Sequence, residues 1–220
     1  MPFLGLECLL HPVEFESYAE VTRRLYQTLR QVSGKEIIFE ISKRVGRAQA
    51  LDRIGDLDVA FIHLVRDGRC FLVSSFQHKQ KKRMQVGMHG KFSTAFLIRT
   101  SLEWVLTNRM AEKVIAESKR PALRIRYEDF VVDPIHALNR IAVELSVDLT
   151  AVCTGLGSGK PINFGHMGGG NEIRLAGPTF LRLEEPWKQP LPPGANRIFW
   201  ALASSTARRY GYTRQESSLP

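Results

Sequence analysis

The amino-acid sequence predicts an α/β fold in which a parallel sheet is flanked by helices. Apolar residues recur at helical spacing from Glu14 to Val32, whereas the apolar runs 35–41 and 59–65 have the length of strands. The run 59–65 is apolar at nearly every position, which is typical of a strand covered on both faces. Helical patterns follow both runs, and a β-α-β order with a further helix predicts a parallel sheet.

The remaining elements follow from apolar spacing and from residues that begin or end helices. The pattern predicts helices over about 48–54, from about 70 into the basic run 78–83, over about 94–117, from Pro134 to about Leu145 and over about 196–210, with a third strand over 122–127. Asp133 is a suitable N-cap for the helix that begins at Pro134, and Gly211 ends the last helix. Seven glycines within 153–171 predict a loop that approaches another group closely.

The composition limits the classes of protein that the chain can belong to. With 220 residues, 44% of them hydrophobic, the chain is long enough for a substantial core, and we expect a single domain over residues 1–220. Lysine and arginine outnumber aspartate and glutamate by 31 to 22, so the net charge of +9 favours an anionic partner. That class includes nucleotides, nucleic acids, acidic glycans and anionic membrane surfaces.

Cysteine usage and hydropathy indicate a cytoplasmic protein. The three cysteines are odd in number and far apart, so we expect neither a disulfide framework nor a zinc site, and a reducing compartment fits. No run of about 18 apolar residues occurs, so we expect no transmembrane segment. The N-terminal residues lack the basic start of a signal peptide.

Arg66 lies directly after the apolar run 59–65, and Ser74 follows eight positions later. Where a parallel strand gives way to a helix, the crevice at the strand's carboxyl end is the usual ligand site, and free helix N–H groups favour an anion. A guanidinium can hold a phosphate by two hydrogen bonds, and a hydroxyl can add a third. The alternative is that Arg66 pairs with Asp67 or Glu128, and that Ser74 caps the helix or faces solvent.

Two further strand ends carry candidate site residues. Glu40 and Lys43 lie at the end of the run 35–41, where a carboxylate could act as general base and an ammonium could stabilise developing charge. The alternative is an ordinary exposed Glu–Lys pair. Tyr127 ends the third predicted strand, where it could lie against or hydrogen-bond a purine, while Arg126 and the two acids that follow hold the sheet edge.

Three polar segments remain. In the glycine-rich stretch 166–174, Arg174 could close over a phosphate, or the stretch could be a flexible loop. Residues 155–161 resemble the tail of a Walker loop, but Pro161 stands where Ser or Thr must hold magnesium, so we assign no nucleotide to them. The basic run 78–83 is either a solvated helix end or a holder of an acidic acceptor.

Five segments occur together in a characteristic order. They are IFEISKRVGRAQAL, DVAFIHLVRDGR with Ser74, LRIRYEDFVVDP, GHMGGGNEIRL, and EEPWKQPL followed by RRYGY. Together they resemble the sulfotransferases that use 3′-phosphoadenosine 5′-phosphosulfate (PAPS), over about Tyr18 to Tyr212. The resemblance implies the three-layer α/β sulfotransferase fold, which is like that of P-loop NTPases. It also implies transfer of a sulfuryl group from PAPS to an acceptor hydroxyl or amine on a small molecule, glycan or lipid.

The resemblance implies roles for individual residues. Those implied to hold PAPS are Arg66 and Ser74 at the 3′-phosphate, Tyr127 at the adenine, and Asn171 and Arg174 on the nucleotide side. Glu40 is implied to deprotonate the acceptor, and Lys43 to steady the bridging oxygen. No metal is needed, because arginine, lysine and backbone dipoles can meet the charge of the donor.

The sequence departs from the family pattern in two places. Gly68 replaces a usual proline after Arg66, which we expect to be a mild change in loop stiffness. No G-x-x-R-S-G-T-like loop is found, so we expect the chain to lack the first strand and the 5′-phosphosulfate loop. This second departure motivates the hypothesis of a non-catalytic nucleotide- or anion-binding protein. A nucleic-acid-binding protein is not expected, because no recognised motif supports it.

Overall fold

The computed structural model describes residues 12–41, 44–84, 93–159, 161, 180 and 194–214. In these ranges the elements are α1 (Pro12–Ser33), α2 (Val45–Arg53), β1 (Phe61–Val65), α3 (Gly68–Met84), α4 (Thr94–Glu117), β2 (Ala122–Arg126), α5 (Tyr127–Val132), α6 (Pro134–Leu145), α7 (Thr150–Gly157) and α8 (Ala195–Arg209). The long helix predicted over 94–117 is confirmed at both ends.

The two strands of the described residues form one small parallel sheet flanked by helices. The chain leaves β1 through α3 and α4 before it returns as β2, and such a helical crossover is what parallel pairing requires. The backbone N–H of Phe61 donates to the carbonyl of Pro121 at 2.9 Å at the start of this pairing. The predicted class, a parallel sheet flanked by helices, is confirmed at this level of detail.

The predicted buried strand over 35–41 is wrong. This segment has no regular secondary structure, and Ile37, Phe39 and Ile41 are 59%, 72% and 63% exposed. A strand needs a neighbour that pairs with its N–H and C=O groups, and no strand in the described part of the chain pairs with this one. The third predicted strand ends one residue early, because Tyr127 already begins α5.

The chain divides into two compact units, each with its own core. The first unit comprises Met1–Phe61 and Met110–Ala122, and the second comprises Ile62–Arg109 and Leu123–Pro220. In the first unit, the core is formed where one face of α1 meets α2. Its buried members are Ala19, Leu51 and Ile54, with Phe15, Tyr26, Leu57 and Val59 packed against them.

The second unit has two apolar clusters. The larger one joins the end of β1 to α3, α4 and α8, and contains Val65, Leu72, Phe96, Leu97, Trp104, Ala195, Phe199, Trp200, Ala203, Ala207, Tyr210 and Tyr212. Its aromatic rings meet edge to face, with centroids 5.6 Å apart for Trp104 and Phe199, a favourable geometry for aromatic pairs. The smaller cluster packs Leu123 and Ile125 of β2 against Leu138 and Ile141 of α6.

The predicted start of α6 is confirmed, whereas the loop predicted from residue 153 begins later. The Asp133 side chain accepts from the His136 backbone N–H at 3.0 Å, as an N-cap does. Residues 153–157 belong to α7, which continues through Gly155 and ends at Gly157. The first three residues of the Walker-like segment, 155–157, are therefore the end of a helix. Gly211 follows α8 with a φ of 81°, as predicted.

Candidate functional site

The turn that follows β1 is held by hydrogen bonds to backbone groups of three successive residues. The single hydroxyl proton of Tyr212 is shared between Oε2 of Glu128, at 2.7 Å, and the carbonyl of Val65, at 3.3 Å. The Trp104 indole N–H donates to the carbonyl of Arg66 at 3.0 Å, and Oε1 of Glu128 accepts from the N–H of Asp67 at 3.0 Å. The backbone on both sides of Arg66 is therefore fixed by buried or partly buried side chains.

Asp67 and Arg69 form a buried ion pair inside this turn. Each side chain is 3% exposed, and Nη2 of Arg69 donates to Oδ2 of Asp67 at 2.6 Å. Nε and the backbone N–H of Arg69 also donate to the Asp67 carboxylate, at 3.1 and 2.7 Å. The Glu128 carboxylate accepts from the backbone N–H of Asp67 and from the Tyr212 hydroxyl, so both acids considered as partners of Arg66 also bind other groups.

Arg66 and Tyr127, two of the predicted site residues, lie against each other. The guanidinium carbon of half-buried Arg66 is 4.5 Å from the centroid of the Tyr127 ring, which is a cation–π contact. Burial raises the pKa of the nearby Cys70 thiol, and the charge of Arg66 opposes that rise. One face of Tyr127 is thus covered by the arginine.

Ser74 lies in the second turn of α3 and is exposed, so its hydroxyl is accessible to a ligand. The other predicted ligands of the nucleotide, Asn171 and Arg174, lie outside the described residues, as does Lys43. Their roles stay predictions.

The structure explains why residue 68 is a glycine, and the explanation differs from the expected change in loop stiffness. A Cβ atom at this position would lie 2.4 Å from Cε2 of Phe199 and 2.9 Å from Cδ2 of Trp104. Real Cβ atoms do not approach other atoms this closely, so only glycine lets the two aromatic rings pack against the turn. The replacement of proline by glycine is therefore tied to the core of the second unit.

Glu40 lies in the first unit, where Arg47 binds both of its oxygens. Nε and Nη2 of Arg47 donate to Oε1 and Oε2 of Glu40 at 2.9 and 3.0 Å, and the Tyr26 hydroxyl donates to the same carboxylate. Arg47 also donates to the hydroxyls of Tyr18 and Thr22. The bonds from Arg47 lower the pKa of Glu40, which makes its carboxylate a weaker base.

Replacing Glu40 by glutamine is expected to make the free energy of unfolding less dependent on pH in the acidic range. The lowered pKa in the folded chain means that the stabilisation is present above the unfolded value of about 4.3 and is lost as pH falls through the folded value. Urea midpoints between pH 7 and about pH 3 should therefore fall further for the wild type than for Glu40→Gln. The control is Glu117→Gln, which removes a carboxylate from an exposed pair with Lys113. Parallel curves for the wild type and Glu40→Gln would contradict the expectation.

Sequence reasoning missed the residues that support the site. The sequence does not single out Arg47, Trp104 or Tyr212, and it indicates Glu128 only as a possible partner of Arg66 and as a residue that holds the sheet edge. Their partners are distant in sequence, by as much as 147 residues for Tyr212 and Val65. The available signal for Arg47, Glu128 and Tyr212 was their occurrence within the segments that carry the family resemblance, whereas Trp104 lies outside those segments.

The comparison with solved structures identifies the fold. A structure described as the sulfotransferase domain from the curacin biosynthetic pathway matches with a TM-score of 0.53 and 18% sequence identity, covering 84% of this chain and 67% of that chain. No protein-family model and no curated protein matches the chain. The chain thus has a sulfotransferase-like fold. Among the helices of the described ranges, none is long and apolar enough to cross a membrane.

Proposed function

We propose that the chain is a sulfotransferase that uses PAPS and acts on a hydroxyl or amine of a small molecule, glycan or lipid. The observation that carries the proposal is the half-buried Arg66 at the carboxyl end of β1, where its guanidinium lies on Tyr127 in a sulfotransferase-like fold. A basic group at this end of a parallel strand is placed where such folds bind anions.

The described residues suit the 3′-phosphate of PAPS. A planar guanidinium can donate two parallel hydrogen bonds to a phosphate, and the exposed hydroxyl of Ser74 can add another. The turn that carries Arg66 is held before any ligand binds, which lowers the ordering cost of binding. The face of Tyr127 that Arg66 leaves uncovered is the one proposed to contact the adenine.

In the proposed reaction, the bond from sulfur to the bridging oxygen of the donor breaks as the acceptor oxygen or nitrogen bonds to sulfur. Adenosine 3′,5′-bisphosphate leaves, and the acceptor proton passes to a base. The family resemblance implies that Glu40 accepts this proton and that Lys43 stabilises the charge on the bridging oxygen. Because the bonds from Arg47 lower the pKa of the Glu40 carboxylate, Glu40 would accept this proton only as a weak base.

Replacing Arg66 by alanine is expected to weaken the binding of adenosine 3′,5′-bisphosphate by about 10- to 100-fold, because two charge-assisted hydrogen bonds are lost. Isothermal titration calorimetry measures the affinity, with adenosine 5′-phosphate as the ligand that lacks the 3′-phosphate. The matched control is Arg140→Ala, which removes the same charge from an exposed position on α6. Equal affinities of the wild type and Arg66→Ala for the bisphosphate would refute the proposed role.

A second candidate is a nucleotide-binding protein without transfer activity. The engagement of the Glu40 carboxylate by Arg47 and Tyr26 favours it, because that carboxylate is then a poor base. Incubation with ³⁵S-labelled PAPS and a panel of phenols, glycans and lipids separates the two candidates. Transfer of label that depends on Arg66 supports the sulfotransferase, whereas binding without transfer to any acceptor supports the second candidate.

A further inference from the structure

Resting on the proposed function, we infer that Glu128 and Tyr212 are positioning residues that fix the backbone of Arg66 and thereby aim its guanidinium at the 3′-phosphate. Neither residue is proposed to touch the ligand. The two act through the carbonyl of Val65 and the N–H of Asp67, the backbone groups on either side of Arg66.

The hydrogen bonds form a continuous connection. The Tyr212 hydroxyl lies 2.7 Å from Oε2 of Glu128 and 3.3 Å from the carbonyl of Val65, and Oε1 of Glu128 lies 3.0 Å from the N–H of Asp67. Because Tyr212 follows α8 and Glu128 lies in α5, two distant segments meet at one turn. A shift of either segment therefore moves the backbone from which the Arg66 side chain extends.

The same end of α5 also holds the side chain of Arg66. Tyr127, the first residue of α5, lies under the guanidinium at 4.5 Å, and Glu128, the second, binds the turn. The first turn of α5 therefore contacts both the side chain of Arg66 and the backbone next to it. Loss of the Glu128 contact is expected to change the angle at which Arg66 leaves the turn while the stacking on Tyr127 persists.

The burial of Glu128 argues for a specific role. Its residue is only 7% exposed and Tyr212 is 2% exposed, and a buried carboxylate is unfavourable unless its oxygens are well bonded. Both oxygens accept hydrogen bonds here. Arg126, which lies over the Tyr212 ring at 4.5 Å, supplies a positive charge nearby. An apolar side chain would fill this space but could not hold the N–H of Asp67.

Three variants separate position from charge. Tyr212→Phe keeps the ring and removes both hydroxyl contacts, and Glu128→Ala removes the acceptor of the Asp67 N–H. Glu128→Gln keeps the geometry, because its amide carbonyl can accept from Asp67 while its amide nitrogen donates to the Tyr212 hydroxyl. If Glu128 acts by position, Glu128→Gln should behave like the wild type and Glu128→Ala should not.

The readout is the ratio of the affinities for adenosine 3′,5′-bisphosphate and adenosine 5′-phosphate, measured by calorimetry on the full chain. A variant that only lowers stability reduces the affinity for both ligands by the same factor. A misdirected Arg66 side chain reduces only the affinity for the bisphosphate. We expect the ratio to fall about 5-fold in Tyr212→Phe and about 10-fold or more in Glu128→Ala, and to stay within about 2-fold of wild type in Glu128→Gln. The control is Ile141→Val in the smaller cluster of the second unit, which lowers stability without contact to the turn.

A second measurement does not need the nucleotide. Hydrogen exchange of the Asp67 amide should be faster in Tyr212→Phe and in Glu128→Ala than in the wild type and in Ile141→Val. If Tyr212→Phe and Glu128→Ala keep the wild-type affinity ratio while Arg66→Ala loses it, this inference is overturned and the proposed function stands. If the wild type itself does not prefer the bisphosphate, the proposed function fails, and the inference fails with it. Unchanged exchange at Asp67 would also overturn the inference.

Discussion

Replacing Asp67 by alanine is expected to lower the free energy of unfolding by about 3–5 kcal/mol, because the variant removes the carboxylate that forms an ion pair with the buried Arg69 guanidinium. The carboxylate of Asp67 accepts hydrogen bonds from Nε and Nη2 of Arg69 at 2.6 to 3.1 Å, and also accepts from the Arg69 backbone N–H at 2.7 Å. Its loss therefore removes a charge partner and a hydrogen-bond acceptor at the start of α3. Urea unfolding followed by circular dichroism measures the change.

Two variants test whether the buried pair is the cause. Asp129→Ala removes a carboxylate that is 60% exposed and 3.8 Å from Arg126, and it should change stability by less than about 1 kcal/mol. The double variant Asp67→Ala/Arg69→Met removes both charges and should be more stable than Asp67→Ala alone. If Asp67→Ala and the double variant are equally stable, the loss of the ion pair with Arg69 does not explain the lower stability of Asp67→Ala.

Replacing Gly68 by alanine is expected to cost about 1–3 kcal/mol or more, because the added methyl group overlaps two packed aromatic rings. The Phe199 ring is 1% exposed and the Trp104 ring is bound through its N–H to Arg66, so neither can move aside freely. The same shift should disturb the turn and weaken the binding of adenosine 3′,5′-bisphosphate. Thermal unfolding and calorimetry measure the two effects.

The matched control is Gly155→Ala in α7, where a Cβ atom meets nothing within 4 Å. Alanine is the better helix former, so this variant should be neutral or slightly stabilising. Phe199→Leu combined with Gly68→Ala should recover part of the lost stability, because the smaller side chain vacates the space that the methyl group needs. A Gly68→Ala variant as stable as the wild type would show that the rings yield without penalty.

The helices could be predicted from the sequence because their signals are local. The apolar spacing of α4 predicted both of its ends, and Asp133 with Pro134 predicted the start of α6. The segment 35–41 was mispredicted because strand formation depends on a partner elsewhere in the chain. Its run of apolar residues is consistent with a strand but cannot supply that partner.

The candidate site could be predicted in part. The position of Arg66 after an apolar run, and of Tyr127 after another, placed both at strand ends, and the two lie against each other. The groups that hold the turn could not be predicted by spacing, because Trp104, Glu128 and Tyr212 are 38, 61 and 147 residues from the groups they bind. The tight packing on Gly68 depends equally on contacts that arise only in the folded chain.

The bond between Tyr212 and Val65 also has a consequence for synthesis on the ribosome. The nascent chain contains Val65 and Arg66 long before it contains the tyrosine that completes the turn, which lies 147 residues further on. Closing so long a loop is entropically unfavourable until the intervening helices have packed. The turn is therefore completed only after residue 212 has been synthesised, and a nascent chain that stalls before that residue carries Arg66 without the contacts that Tyr212 makes to the turn.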